Sequence, residues 1–139
     1  MHSKGDDIIA KAKEYVDVRY KHLGRSILGL DCIGLIIRVA NDLGITDYDT
    51  VGYSRRPNLA EFHRELKNEL VAIPLASLGN GDVVLMNEPR WPCHVGFYEV
   101  DEKGEAYIIH AWAVPRRVLR EKVGPARRQK FIRAYRFPE

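Results

Sequence analysis

An α+β fold, with N-terminal helices packed on an antiparallel β-sheet, is what this sequence predicts. Up to residue 70, apolar side chains recur at three- and four-residue steps, the period of a single buried helix face. After Pro74 the texture changes to short apolar runs bounded by Gly, Asn and Asp, the pattern of strands and turns. Helices first and strands afterwards segregate into an α+β arrangement rather than into alternating β-α units. The length of 139 residues and a hydrophobic share of 45% suit one domain over 1–139 that buries its own core.

The first helix is expected over 6–20, where Ile8, Ile9, Ala12, Tyr15 and Val16 fall on helical steps behind Asp6 and Asp7. A loop containing Gly24 and Gly29 follows. The second helix should begin at Asp31 or Cys32, run through Ile36, Ile37, Val39 and Leu43, and stop at Gly44, a residue suited to the left-handed cap. Asn58, with Glu61 three residues on, is the expected N-cap of a third helix carrying Leu59, Phe62, Leu66 and Leu70. Strands are expected at Val83–Met86, His94–Val100, 105–111 and 131–137, the first of them leaving a turn at 78–82.

The net charge of +3 conceals an asymmetry. Residues 115–139 hold nine basic side chains against two acidic ones, so that end carries +7 and residues 1–114 carry −4. The basic end reads either as a docking or wall-facing surface or as a solvated strand and loop. No helix-turn-helix, finger or aromatic platform accompanies it, so nucleic acid is not the expected partner. No apolar run approaches the roughly 20 residues of a membrane span, and residues 1–7 are polar. Neither a membrane span nor a signal peptide is expected.

Two cysteines make no disulfide framework, so each is weighed as a thiol. Gly29-Leu30-Asp31-Cys32-Ile33-Gly34-Leu35 puts Cys32 in the first turn of an apolar helix, after a capping Asp. Unpaired amides and the helix dipole favour a thiolate there, as a nucleophile needs; the alternative is a small apolar residue opening a core helix. A base is also required, and His94 and His110 are the strand histidines. The connection Asp101-Glu102-Lys103-Gly104 suits a type I turn followed by a glycine bulge, which pairs residues whose numbers sum to 206. His110 then lies opposite Gly96, with His94 diagonal to it on the same face. Cys32, Cys93, His94 and His110 make a nominal zinc set. Adjacent strand residues such as Cys93 and His94 point to opposite faces, however, and no paired Cys or His spacing is present. No metal or other cofactor is expected, and Cys93 reads as a packed side chain.

In combination these residues resemble the NlpC/P60 family of cysteine peptidases acting on bacterial cell-wall peptides. Tyr20 stands twelve residues before Cys32, Gly24 lies between them, Gly81-Asp82 precedes a strand, and His94-Val95-Gly96-Phe97-Tyr98 follows. His110 takes the third polar position, and the resemblance runs over about 15–112. Ile33 replaces the family's usual Ser after the cysteine. Asp31-Cys32-Ile33-Gly34-Leu35, together with Tyr53-Ser54-Arg55-Arg56-Pro57, is similar to the branch carried by tailed phages as a tail-associated cell-wall peptidase.

The resemblance implies a papain-like, NlpC-type fold. It makes Cys32 the nucleophile, His94 the base, His110 its orienting partner, and Tyr20 a helper of the oxyanion or substrate. It further implies cleavage of peptidoglycan stem peptides near a γ-D-glutamyl linkage to a diamino acid. The expected setting is a phage virion tail, the chain being made in the bacterial cytoplasm and meeting other tail-tip proteins. Two alternatives stand beside this reading: a structural tail assembly protein with little hydrolytic activity, and a related thiol amidase or acyltransferase.

Overall fold

Helix α1 (Lys4–Lys13) carries acids in its first turn and lysines in its last, each favourable to the helix dipole, and buries Ile8, Ile9 and Ala12. The structure, a computed structural model, describes residues 4–50, 52–54, 59–87, 94–112 and 116–138. The predicted extension of α1 to residue 20 does not form. The chain turns at Asp17, with φ 75°, and exchanges hydrogen bonds with a strand instead. Asp17 N–H donates to the Val118 carbonyl at 2.9 Å, and Val118 N–H donates to the Val18 carbonyl at 2.8 Å. A sheet edge with unmet backbone groups has taken the amides that the apolar spacing assigned to a helix.

A two-residue hairpin, β1 (Arg25–Ser26) and β2 (Gly29–Leu30), leads into helix α2 (Cys32–Asp42). Almost all of α2 is buried, and it ends at Leu43, followed by Gly44 at φ 68°. Helix α3 (Leu59–Lys67) buries Phe62 and Leu66. The expected cap Asn58 lies outside the described residues.

Six antiparallel strands follow: β3 (Val71–Ile73), β4 (Val83–Met86), β5 (His94–Val100), β6 (Ala106–Trp112), β7 (Arg117–Lys122) and β8 (Phe131–Arg136). Their order is β3-β8-β4-β5-β6-β7, so the last strand in the chain lies between β3 and β4. A short helical turn, α4 (Pro125–Arg128), joins β7 to β8. Val83, Leu85, Val95, Phe97 and Ile109 pack with Ile8, Leu35 and Val39 of the helices. On the other face Val84, Met86, Ile108 and Phe131 make a second cluster, so β4 is buried on both sides. Among the described residues no helix is long and apolar enough to cross a membrane.

The basic end is woven into this sheet. β7 and β8 were not both expected, because Arg117-Val118-Leu119-Arg120-Glu121-Lys122 has the charge density of a solvated loop. Four of its cations meet acids of the earlier chain: Arg117 with Asp17 at 3.5 Å, Arg120 with Glu99 at 2.7 Å, Lys122 with Glu105 at 3.3 Å and Arg136 with Asp82 at 2.7 Å. The +7 and the −4 therefore compensate within the fold. The exposed pairs contribute little, but Asp82 and Glu99 are buried carboxylates gripped by two guanidinium nitrogens each.

Candidate active site

Asp31 builds the start of α2. Its Oδ1 accepts from Gly34 N–H at 2.7 Å and its Oδ2 from Leu23 N–H at 2.7 Å. The Tyr53 hydroxyl donates to the same carboxylate at 2.8 Å, and Arg25 Nη2 donates to the Tyr53 oxygen at 2.8 Å. Gly34 is required by this crowding, because a Cβ there would stand 2.2 Å from the Gly24 carbonyl oxygen. The loop from Tyr20 to Gly24 is thereby clamped against the helix start.

Cys32 follows at the first helical position, only 6% exposed. Backbone amides of Val95, Ile33 and Cys32 itself favour a charged sulfur. Every second amide of β5 faces one neighbour; Tyr98 N–H bonds Asp82 on the β4 side, so Val95 N–H faces β6. The paired ladder of β5 and β6 ends at Phe97 with Ile109, which leaves the Val95 amide beyond it, where it acts on the Cys32 thiol.

The hairpin has the register that its turn predicts. Phe97 pairs with Ile109 and Glu99 with Tyr107, Asp101 N–H reaches the Glu105 carbonyl at 2.9 Å, and Gly104 takes φ 81°. His94 Nε2 and His110 Nδ1 lie 2.6 Å apart, both rings fully buried. Trp112 packs against both rings, its centroid 4.5 Å from that of His94 and 6.2 Å from that of His110. Gly96 makes the room: a Cβ there would lie 2.9 Å from the His110 Cβ and from Ile108. Gly96→Ala should therefore cost about 1–3 kcal/mol of stability through overpacking beneath His110, measurable by urea titration.

Tyr20 is half-buried and anchored through its backbone, its N–H donating to the Arg116 carbonyl at 2.7 Å. A bridge to Leu30 sets it beside the strand that runs into Cys32. Cys93 lies outside the described residues. Among the described residues no three His, Cys, Asp or Glu side chains are arranged to hold a metal ion.

The electrostatics correct one expectation. Burial, and then the Asp31 carboxylate, push the Cys32 thiol up, outweighing the backbone amides that favour a thiolate. The carboxylate that starts the helix therefore opposes ionisation of the sulfur behind it. Burial, then the neighbouring His110 and Arg127, hold His94 well below its ordinary value. Both shifts favour a neutral thiol beside a neutral imidazole. His94 thereby makes stability depend on pH. Its ring stays unprotonated in the fold, whereas the unfolded chain takes up a proton below about pH 6.5. Stability should fall on acidification from there, by at most about 1.4 kcal/mol per pH unit from this group. Urea titrations at pH 5 and 6.5 should show a shallower loss in His94→Gln.

The sequence model described as the NlpC/P60 family matches residues 17–134, most of the chain. The chain belongs to the NlpC/P60 family. No curated protein matches it. Among solved structures it is similar to an NlpC/P60 family protein from Bacillus cereus, with 22% identity and a TM-score of 0.70, covering 99% of this chain and 41% of that one. It is also similar to the NlpC/P60 domain of the peptidoglycan hydrolase SagA, at 21% identity and a TM-score of 0.66, covering 97% of this chain and 100% of that one. An N-acetylmuramoyl-L-alanine amidase from Bacteroides uniformis shares 15% identity, with a TM-score of 0.63 and coverage of 97% and 99%. These likenesses establish an NlpC/P60 fold.

Two residues of this NlpC/P60 domain near the histidines have no counterpart in the sequence reading. Glu121 Oε1 lies 2.6 Å from His110 Nε2, and Arg127 Nη2 lies 3.5 Å from Glu121 Oε2. Glu121 faces the histidines because Leu119 pairs with His110, which puts Glu121 diagonal to it. That signal needs β7 to be seen as a strand.

Proposed function

We propose that this chain is a cysteine endopeptidase that cuts the stem peptides of peptidoglycan, with Cys32, His94 and His110 as its catalytic set and Tyr20 on the substrate side. The observation that carries this reading is the buried imidazole pair, His94 Nε2 lying 2.6 Å from His110 Nδ1, on the strands against which the helix that begins at Cys32 packs. His94 uses Nε2 for His110, so Nδ1 is the nitrogen that takes the thiol proton as the sulfur bonds to the substrate carbonyl carbon. The peptide C–N bond then breaks and the amine leaves with that proton. Water hydrolyses the thioester, its proton returning through His94 to the sulfur. Backbone amides at the start of α2 supply the positive end that a developing oxyanion needs. His94 acts as a base on a neutral thiol, in keeping with the directions in which burial moves both groups.

Membership of the NlpC/P60 family and the SagA likeness support peptidoglycan as the substrate. The γ-D-glutamyl linkage to a diamino acid is the bond assigned to it. The Bacteroides uniformis likeness supports a second reading, an amidase cutting at the muramoyl-alanine bond. Digestion of purified peptidoglycan followed by mass spectrometry separates them. New amino groups inside the stem peptide support the endopeptidase, intact stem peptides freed from muramic acid support the amidase, and no soluble fragment overturns both.

The proposed setting is the tail tip of a phage virion, built in the bacterial cytoplasm alongside other tail proteins. Support comes from the pentapeptide at 31–35 and the segment at 53–57. Peptide mass spectrometry of purified particles tests it, and absence of the chain from the particles would overturn it.

A further inference from the structure

A histidine can act as a base only through the nitrogen that lacks a proton, and in a hydrogen-bonded chain the last acceptor decides which nitrogen that is. Here the chain runs from His94 through His110 to Glu121. His94 Nε2 lies 2.6 Å from His110 Nδ1, and His110 Nε2 lies 2.6 Å from Glu121 Oε1. An ionised carboxylate only accepts, so His110 must carry its proton on Nε2. In a neutral His110 this leaves Nδ1 as an acceptor, which obliges His94 to place its proton on Nε2. His94 Nδ1 is then the bare nitrogen.

We propose that Glu121 is a positioning residue that sets the tautomer of His94 through His110, holding Nδ1 of His94 ready to take the Cys32 proton. Arg127 supports this arrangement from α4, its Nη2 lying 3.5 Å from Glu121 Oε2 and its Nη1 4.0 Å from the sulfur of Met86, the strand partner of His94. The hydrogen bond from His110 and the Arg127 guanidinium hold the Glu121 carboxyl below its ordinary range against the opposing effect of burial, in keeping with an accept-only group. Among the described residues, Glu121 from β7 and Arg127 from α4 are the charged groups shown to act on the histidine pair. A glutamine at 121 would have the shape of glutamate, but it can donate as well as accept, so either tautomer of His110 would be satisfied.

The effect on turnover rests on the peptidase reading, whereas the tautomers do not, and the test separates the two. Long-range proton–nitrogen NMR of the histidine rings in the whole wild-type chain at neutral pH should show both His94 and His110 protonated on Nε2. In Glu121→Gln a second tautomer of His94 should appear, with kcat on peptidoglycan fragments lowered about 10- to 100-fold and KM unchanged. That is milder than the roughly 10⁴-fold loss when the carboxylate bonded directly to a catalytic histidine is made an amide. Glu121→Asp should restore the single tautomer and most of the turnover. A wild-type His94 protonated on Nδ1, or a Glu121→Gln chain with unchanged tautomers, overturns the assignment. The expected tautomers in a chain that cleaves nothing would sustain it and remove the peptidase reading instead.

Discussion

Cys32→Ala is expected to lower peptidoglycan cleavage by about 10³-fold or more while leaving the protein folded. The activity term is large because the covalent intermediate forms on this thiol, so without it only binding and oxyanion stabilisation remain. The stability term is small. Cys32 is a compact side chain at the edge of the core, and losing its sulfur should cost about 1 kcal/mol. Fragment release and a thermal melt on the same preparation check both halves. Undiminished release would remove Cys32 from the chemistry and favour a structural tail protein or a different nucleophile.

Asp31→Ala should be the most damaging substitution for stability, at about 3–5 kcal/mol. The carboxylate is 2% exposed and accepts from two backbone amides and the Tyr53 hydroxyl, with Arg25 Nη1 at 3.5 Å and His22 at 3.6 Å. Removing it leaves the Leu23 and Gly34 amides unmet in the interior and takes the anion away from the half-buried Arg25 guanidinium. Leu23 is also held at φ 63°, a conformation that a leucine keeps only under constraint. A loss of about 10–20 °C in melting temperature is the expected reading for a chain of this size. A loss below about 1 kcal/mol would show that the clamp closes without its carboxylate. The same substitution removes the charge that raises the thiol. Asp31→Ala should therefore make whatever remains folded more readily alkylated at Cys32, even as it loses activity.

Sequence alone reached the histidine pair because the turn at 101–104 carries its own chemistry. Asp101 and Gly104 set the register locally, and Gly96 opposite His110 supplies the room. Cys32 was legible as a helix start for the same reason, Asp31 being a local cap. What stayed hidden depended on partners far along the chain. The end of α1 at Lys13 follows from bonds between residues 17–18 and Val118, a hundred residues away. β7 is charged at four of its six positions and lies at an edge, where ion pairs with Asp17, Glu99 and Glu105 decide its place. Glu121 was invisible because its role exists only once β7 does. The helix-start reading also expected an easier thiolate. It could not see that the sulfur would be covered by the sheet, and burial reversed the sign.

The position of β8 has a consequence for how the protein is made. Residues 131–136 form the strand between β3 and β4, so a ribosome must pass residue 136 before β4 can acquire that neighbour. Until then Val83–Met86 lacks one flank, and the sheet that seats His94 and His110 stands incomplete. Pairings between such distant segments close slowly. The sheet that holds the histidine pair is therefore completed only when residues 131–136 insert between β3 and β4.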